Sequence, residues 1–330
     1  KDKDSEVMTL HVNGEPVSID NKGNFVISRF NPSGETLNLK AWDEWANSTS
    51  VSVTITVEKQ LAEKKDFLEP LKLPSRKVKK DNNKVAIVIG IENYENAPKA
   101  TYANKDAEFF SEYLKRSFGV VDTNMMVIQD NEAKLIKLYG ILAKWLAAVA
   151  GGGGKDIYIF YSGHGLSSND GKDLYLLTHD SDPDLLNRTA ILRKELFELI
   201  NKQKPKSVTM FFDTCYSGVS RDEELLLASA RPIRIVADEQ EGIPDNFTIF
   251  SASQLDQISS GLKKAKHGIF SYYLMKGLEG KADSNKDRQI TNGELLAYMN
   301  QNVSQKASEL GRQQNPSLAG DPNKILMSYR

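Results

Sequence analysis

The sequence places one histidine and its single cysteine in settings that suit nucleophilic catalysis. His164 stands between two glycines in FYSGHG (160–165), and Cys215 lies in DTCYSG (213–218); each segment follows a short apolar run. The thiolate is the reactive form of cysteine, and a nearby imidazole both favours it and can protonate a leaving amine. Taken singly, each residue has a structural alternative, a satisfied histidine or a small buried hydrophobe. A histidine about 50 residues upstream of the cysteine is a known spacing for a catalytic pair.

The elements around these two residues predict a parallel sheet. From residue 84 onward, uninterrupted apolar strands alternate with amphipathic helices, which is typical of a parallel sheet covered on both faces. In such sheets ligands bind at the carboxyl ends of the strands, where His164 and Cys215 should meet. The predicted strands are 85–91, 125–128, 157–161, 208–212, 247–250 and 325–327, and the predicted helices are 104–118, 134–150, 192–202, 268–278 and 292–307.

The first sixty residues have a different pattern. Short runs rich in β-formers, broken by Asn-Gly, Lys-Gly and Ser-Gly, predict a small all-β sandwich over residues 1–58. Residues 59–83 are rich in lysine and contain Pro70 and Pro74, which predicts an exposed linker. The part built on the predicted parallel sheet would then be 84–330. The β-rich runs are 8–12, 17–19, 25–30, 36–42 and 51–57, the last with strict alternation of apolar and polar residues.

Composition excludes several functions. The 43 basic and 44 acidic residues nearly cancel, so no overall field favours nucleic acid or an anionic membrane. No apolar stretch approaches the ~20 residues that span a bilayer, and we expect no signal peptide within the chain. It begins with Lys1 and not Met, as removal of an upstream segment would leave it. One cysteine excludes internal disulfides and multi-thiolate zinc sites.

YSGHG followed by DTCYSG resembles the caspase and metacaspase superfamily of cysteine peptidases, over about residues 84–330. Asp213 and Thr214 stand where animal caspases carry Gln and Ala, so the second motif is similar to metacaspases and bacterial caspase-like proteins. The resemblance implies a caspase-like six-stranded, mostly parallel sheet flanked by helices. It also implies that Cys215 is the nucleophile, that His164 is the general acid/base, and that the backbone N–H groups of Gly165 and Cys215 form the oxyanion hole.

The N-terminal runs resemble the immunoglobulin-like modules appended to many bacterial extracytoplasmic proteins. The likeness covers residues 5–58, about five strands where a complete domain has roughly seven. It implies a spacer or adhesion role and an extracytoplasmic (periplasmic or secreted) location.

The resemblance also implies a substrate. Animal caspases bind an acidic side chain with arginines, one of them in the loop after the first strand, but here that loop (92–107) has none. Asp106 and Asp213 match the two aspartates that line the metacaspase pocket for Arg or Lys, with Ser162 as a third polar wall. Asp106 could instead favour the dipole of its own helix. A buried carboxylate such as Asp213 needs a partner, and a substrate cation is the simplest one. The alternatives are a caspase-like enzyme with acidic specificity and a non-catalytic scaffold of the same fold.

The resemblance implies no required cofactor, and calcium is the one metal to consider. Arg193 and Lys194 stand where calcium-activated metacaspases carry an acidic pair, which argues against that site. A second loop, 283–294, has oxygen ligands at the spacing of an EF-hand, but Arg288 takes the position that needs glycine. The alternative is a loop that caps the following helix. Its candidate ligands are Asp283, Asn285, Asp287, Thr291 and Glu294.

Self-processing is predicted from the long polar segment 217–242. Long loops with basic residues are preferred sites of cleavage, and we expect cleavage after Arg221 or Arg234. Pro232 should protect the bond after Arg231. A lysine within 77–80 is the alternative site.

Overall fold

The structure is a computed structural model. It describes residues 7–20, 24–25, 34–56, 68–74, 78–216, 226, 242–253, 257 and 259–328. The chain divides into two compact units, Lys1–Phe67 and Leu68–Arg330. The second unit thus begins earlier than the predicted domain start at residue 84.

The first unit contains an antiparallel sheet of four strands in the order β2-β1-β3-β4. This confirms its all-β character. The second strand was predicted at 17–19 and begins earlier, because Asn13 and Gly14 (φ 51° and 89°) form a tight two-residue hairpin turn directly after β1. Most of the predicted run 25–30 lies outside the described residues. The strands are β1 (Val7–Val12), β2 (Glu15–Val17), β3 (Glu35–Asp43) and β4 (Ser48–Ile55).

The core of this sheet is small. Leu10, Val12 and Leu37 are buried on one face, whereas β4 is exposed along its whole length. The predicted run 51–57 is in a strand as far as Ile55, but its apolar residues Val51, Val53 and Ile55 are exposed like the polar residues between them. The second sheet of the predicted sandwich is not found in the part of this unit that the structure describes.

The second unit is built on a six-stranded sheet in the order β16-β12-β11-β7-β5-β6. Five strands are parallel and β16 is antiparallel to β12, which confirms the predicted mostly parallel sheet. The strands of the unit are β5 (Lys84–Gly90), β6 (Met125–Gln129), β7 (Asp156–Ser162), β8 (Gly165–Ser167), β9 (Leu174–Leu177), β10 (Ala190–Leu192), β11 (Ser207–Asp213), β12 (Phe247–Ser251), β13 (Gly261–Leu262), β14 (His267–Gly268), β15 (Gln289–Thr291), β16 (Ser317–Ala319) and β17 (Ile325–Ser328).

The predicted strand 325–327 is present as β17, but it is not the sixth strand of the sheet. That position is taken by β16, where Ala319 is the partner of Ile249. Residues 317–319 come earlier in the chain than residue 325, and they already occupy the position beside β12. The apolar run at the C-terminus, β17, instead pairs antiparallel with β15 outside the sheet.

The helices lie close to the predicted ranges, but three of them contain a π-helical turn. The predicted helix 104–118 is α1, which continues as a π-helical turn over Leu114–Phe118. The predicted helix 134–150 consists of α2, a π-helical turn over Ile141–Trp145, and α3. The predicted helix 268–278 is α6, which continues as a π-helical turn over Gly277–Lys281. The helices are α1 (Ala103–Tyr113), α2 (Leu135–Gly140), α3 (Leu146–Ala150), α4 (Leu186–Thr189), α5 (Arg193–Asn201), α6 (Ile269–Lys276) and α7 (Asn292–Glu309).

The sheet is buried on both faces, as its continuous apolar strands require. Successive residues of β5 point to opposite faces: Ala86 and Val88 pack with residues of α1, α6 and α7, whereas Val85 and Ile87 pack with residues of α2, α3 and α5. Helices on both faces fix the positions of the strands, and so of the strand ends where the candidate site lies.

Part of the predicted exposed linker packs onto the second unit. Leu68 and Leu71 contact its core, and the hydroxyl of Tyr113 donates a hydrogen bond of 3.1 Å to the carbonyl of Lys72. The N–H of Lys72 donates 2.7 Å to Glu279. The segment 68–74 therefore belongs to the fold.

Among the described residues, no helix has the length and apolar character to cross a membrane.

Candidate active site

The two candidate catalytic residues follow neighbouring strands at equal distance from the last ladder pair. β7 and β11 are parallel, and Ser162 is the register partner of Asp213. His164 and Cys215 each lie two residues further along the chain. This register confirms the sequence prediction that both residues follow the carboxyl ends of neighbouring parallel strands, on the same side of the sheet. Both side chains are buried, and Cys215, the single cysteine of the sequence, forms no disulfide within the chain.

Gly165 lies against the chain that carries the cysteine. A Cβ at this position would approach Thr214 Oγ1 to 2.8 Å and the carbonyl oxygen of Cys215 to 2.9 Å, so a larger residue would push the two turns apart. Gly165 is also paired with Leu176, and the N–H of Leu177 donates to the carbonyl of His164. Gly165 and Leu176 are therefore a non-hydrogen-bonded pair in the antiparallel pairing of β8 with β9. The N–H of Gly165 consequently points away from β9.

Contacts with the loop between β5 and α1 fix the orientation of His164. Nε2 lies 2.9 Å from the carbonyl oxygen of Pro98, and the imidazole packs against the ring of Tyr94 with the centroids 4.8 Å apart. A carbonyl can only accept, so Nε2 carries the hydrogen. In the neutral imidazole, Nδ1 is then the nitrogen that can accept a proton.

Asp213 is fully buried at the end of β11, and the hydrogen bonds described for its side chain come from neutral groups. Its Oδ1 accepts from the hydroxyl of Ser259 at 2.6 Å. Its Oδ2 accepts from the hydroxyl of Ser271 at 2.5 Å and from the N–H of Ser271 at 3.3 Å. Register places Ser162, also fully buried, beside Asp213. Since in-register residues of parallel strands share a face, both lie on the α6 face of the sheet.

Asp106 is also fully buried, but its partner is a histidine. Its Oδ1 lies 2.7 Å from Nδ1 of His267, and the N–H of Gly268 donates to both carboxylate oxygens at 3.3 and 3.0 Å. Asp106 lies in the first turn of α1, yet its carboxylate contacts the segment that leads into α6. Asp106 and Asp213 thus both bind backbone N–H groups at the start of one helix.

The loop predicted as an EF-hand relative caps α7. Thr291 and Glu294 form a reciprocal capping box, in which the Thr291 hydroxyl accepts from the N–H of Glu294 and the Glu294 carboxylate accepts from the N–H of Thr291. Ser284 donates to the other oxygen of Glu294, and Asp283 accepts from the N–H of Arg288. These carboxylates therefore have the roles that the helix-capping alternative predicts. No group of three or more metal-binding side chains occurs among the described residues.

The loop that carries Tyr94 and Pro98 is tied to a half-buried carboxylate, Asp130. Burial alone would raise the pKa of Asp130, but hydrogen bonds from Asn93, Asn104 and Glu92 hold that pKa below its usual range. Burial, and next the charge of Asp130, raise the pKa of Glu92. Asp130 is therefore held as a carboxylate that accepts from the loop.

The predicted cleavage sites are only partly described. Arg221 and Arg234, like Arg231, lie outside the described residues. Of the lysine-rich linker segment, residues 78–80 are described and exposed, and Lys80 forms an ion pair of 3.0 Å with Asp122.

Sequence reasoning missed the side chains that surround the candidate residues: Tyr94, Pro98, Ser259, His267 and Ser271. Only His267 has a sequence signal that could have found it. It is one of four histidines and, like His164, directly precedes a glycine at the end of a short β segment. The other four become visible only when the fold brings together segments that are far apart in the sequence.

A mostly parallel sheet with a histidine and a cysteine at adjacent strand ends is the architecture of a cysteine peptidase of the caspase class. Comparison with protein families agrees, because residues 83–326 match the caspase domain. The chain belongs to this family, which consists of cysteine peptidases. No curated protein matches the chain. Among solved structures, a protein from Geobacter sulfurreducens is 15% identical and matches with a TM-score of 0.49, covering 75% of this chain and 97% of that one.

Proposed function

We propose that this protein is a cysteine endopeptidase that uses Cys215 and His164 to cleave peptide bonds after Arg or Lys. The proposal rests mainly on the register of β7 and β11, which brings both residues to one edge of the sheet. Membership of the caspase family supports peptidase chemistry in general.

The chemistry follows from the orientation of the imidazole. The Cys215 thiol gives its proton to Nδ1 of His164, and the thiolate attacks the carbonyl carbon of the scissile bond. His164 then donates that proton to the leaving amine, and the C–N bond breaks to give a thioester. Water attacks the thioester with His164 as base, which releases the acid and restores the thiol.

The oxyanion would be stabilised by backbone N–H groups. The N–H of Gly165 points away from β9, and the glycine lies against Cys215, as a donor to the developing charge should. Together with the N–H of Cys215 it forms the proposed oxyanion hole. One such donor contributes roughly 3 kcal/mol to the transition state.

Asp213 supports specificity for a cationic side chain. It is a carboxylate on the sheet edge two residues before the nucleophile, and its described donors are hydroxyls and an N–H, which carry no charge. A substrate guanidinium would donate charge-assisted hydrogen bonds to this carboxylate. Ser162 and Asp106 complete the proposed pocket, with Asp106 the weaker contact because its Oδ1 is already paired with His267.

A peptide panel tests the proposal. Fluorogenic peptides that differ only in Arg, Lys, Asp or Ala before the scissile bond should be cleaved in the order Arg, Lys, then the others. Asp peptides should be inert because they add a negative charge beside Asp213. Cleavage of Asp peptides at rates similar to Arg peptides would instead assign acidic specificity, and no turnover of any peptide would favour the scaffold.

The catalytic pair is tested in the same assay. Cys215→Ala and His164→Ala should each abolish hydrolysis while the circular dichroism spectrum and thermal midpoint stay close to those of the parent protein. Turnover above background by purified Cys215→Ala would rule out this mechanism.

Self-processing is a further part of the proposal. Cleavage after Arg221 or Arg234, or after a lysine within 77–80, should change the intact mass of the active protein over time. Cys215→Ala, incubated alone, is the control and should keep its mass. Identical mass spectra for both proteins after prolonged incubation would count against self-processing.

A further inference from the structure

One loop touches both the ring and the backbone of His164. The loop joins β5 to α1 and spans residues 91–102. Its Tyr94 hydroxyl accepts a hydrogen bond of 2.7 Å from the N–H of His164, and its Pro98 carbonyl lies 2.9 Å from Nε2. The Tyr94 ring packs on the imidazole at an interplanar angle of 31°. One side chain thus holds the peptide and the ring of His164 together.

The glycine before His164 makes this contact possible. A Cβ on Gly163 would lie 2.5 Å from the hydroxyl oxygen of Tyr94, closer than any side chain allows. A second tyrosine contacts the carbonyl of His164. The Tyr161 hydroxyl lies 2.6 Å from the carbonyl oxygen of His164 and 2.7 Å from that of Leu177. Tyrosine hydroxyls therefore contact both the N–H and the carbonyl of His164.

Tyr94 itself lies between two anchored residues. Asp130 accepts hydrogen bonds from the N–H groups of Glu92 and Asn93 and from the side-chain amide of Asn93. On the other side, the N–H of Glu95 donates to the carbonyl of His179, whose Nδ1 lies 2.6 Å from the carbonyl oxygen of Asn93. These bonds fix the backbone at residues 93 and 95, and so they fix the Cα position from which the Tyr94 side chain extends.

We propose that Tyr94 is a positioning residue for His164, which keeps the imidazole against Pro98 so that Nδ1 is the nitrogen that exchanges protons. This inference deepens the proposed function and rests on it. Without the Tyr94 hydroxyl, the N–H of His164 loses its described acceptor. Without the ring as well, the imidazole can rotate away from Pro98, and both tautomers become populated.

Two substitutions separate the hydroxyl from the ring. Tyr94→Phe keeps the ring and should lower kcat about tenfold, and Tyr94→Leu removes both contacts and should lower kcat about a hundredfold, because small misplacements of a catalytic group have effects of this size. KM should change little, since Tyr94 is not proposed to touch the substrate. Tyr139→Phe is the matched control: it removes a hydroxyl that bonds Glu195, away from His164, and should leave kcat unchanged.

The tautomer of His164 provides a readout that a purely structural role would not change. With ¹⁵N-labelled histidine, the four histidines can be observed by NMR, and His164 can be assigned from the signal lost in His164→Gln. The parent protein and Tyr139→Phe should show the Nε2–H tautomer for His164. Tyr94→Leu should show a mixture of tautomers, with a shifted titration midpoint for this ring and an acid limb of kcat/KM that shifts with it.

The outcomes distinguish this inference from the proposed function. An unchanged tautomer and unchanged kcat in a folded Tyr94→Leu protein would overturn the role of Tyr94 and leave the peptidase assignment intact. If the parent protein cleaves no peptide, the proposed function fails, and the NMR measurement still decides whether Tyr94 sets the tautomer of His164. If Tyr94→Leu does not fold, Tyr94→Phe becomes the deciding variant, and an unchanged kcat in that protein would overturn the role of Tyr94.

Discussion

Asp106 and Asp213 are two fully buried carboxylates at the start of the same helix, and they differ in their partners. Asp213 accepts hydrogen bonds from the hydroxyls of Ser259 and Ser271, whereas Asp106 binds the imidazole of His267 at 2.7 Å. Each also accepts a backbone N–H from the segment at the beginning of α6.

The difference in partners indicates which aspartate recognises the substrate and which supports the fold. An imidazole can carry a proton and balance a carboxylate from within the protein, but a serine hydroxyl cannot. His267 already pairs with Asp106, whereas Asp213 lies two residues before Cys215, so we expect a cationic substrate side chain to interact more strongly with Asp213. We expect Asp213 to dominate the recognition of Arg and Lys, and Asp106 to anchor the start of α6 to α1.

Among variants of the two aspartates and their partners, Asp213→Ala should cause the largest loss of kcat/KM for Arg peptides. A hydrogen-bonded charge pair in a closed site is worth several kcal/mol when one partner is truncated, so kcat/KM for Arg peptides should fall by about a hundredfold or more. Asp213→Asn keeps the volume of the side chain and should have a similar effect, since it also removes the charge. Steady-state kinetics with Arg and Ala peptides provide the measurement, and an equal loss for both peptides would show that Asp213 supports the site in general and does not select the cation.

Asp106→Asn should have a smaller effect on kcat/KM, about tenfold or less, and a larger effect on stability. Removing one partner from a buried pair costs about 3 kcal/mol in the free energy of unfolding. Urea unfolding of Asp106→Asn, His267→Gln and the double variant should show that the second substitution costs little once the first is present. Additive losses in this cycle would mean that the two side chains do not act as a pair, and a hundredfold loss of selectivity for Arg in Asp106→Asn would make Asp106 a recognition residue like Asp213.

The comparison also shows what the sequence could reveal. The strands β7 and β11, and the placement of His164 and Cys215 after their carboxyl ends, were predictable, because continuous apolar runs define buried parallel strands whose carboxyl ends lie on the same side of the sheet. The partners of the two aspartates were not, since His267 lies 161 residues from Asp106 and no local pattern links them. β16 was missed because a three-residue edge strand has too few residues to show a period, whereas the apolar 325–327 run resembled a core strand.

The smallest effect should come from Ser271→Ala. This change removes one of the three donors described for Asp213, and the Ser259 hydroxyl and the N–H of residue 271 still hold the carboxylate. A single neutral hydrogen bond contributes about 1 kcal/mol, so the free energy of unfolding should fall by about that amount and kcat/KM for Arg peptides by less than about tenfold. Ser259→Ala is the matched variant on the opposite oxygen and should behave in the same way. If either serine variant lost as much activity toward Arg peptides as Asp213→Ala, the serine hydroxyls would themselves be part of substrate recognition. The contrast between the serine hydroxyls at Asp213 and the imidazole at Asp106 would then no longer explain specificity.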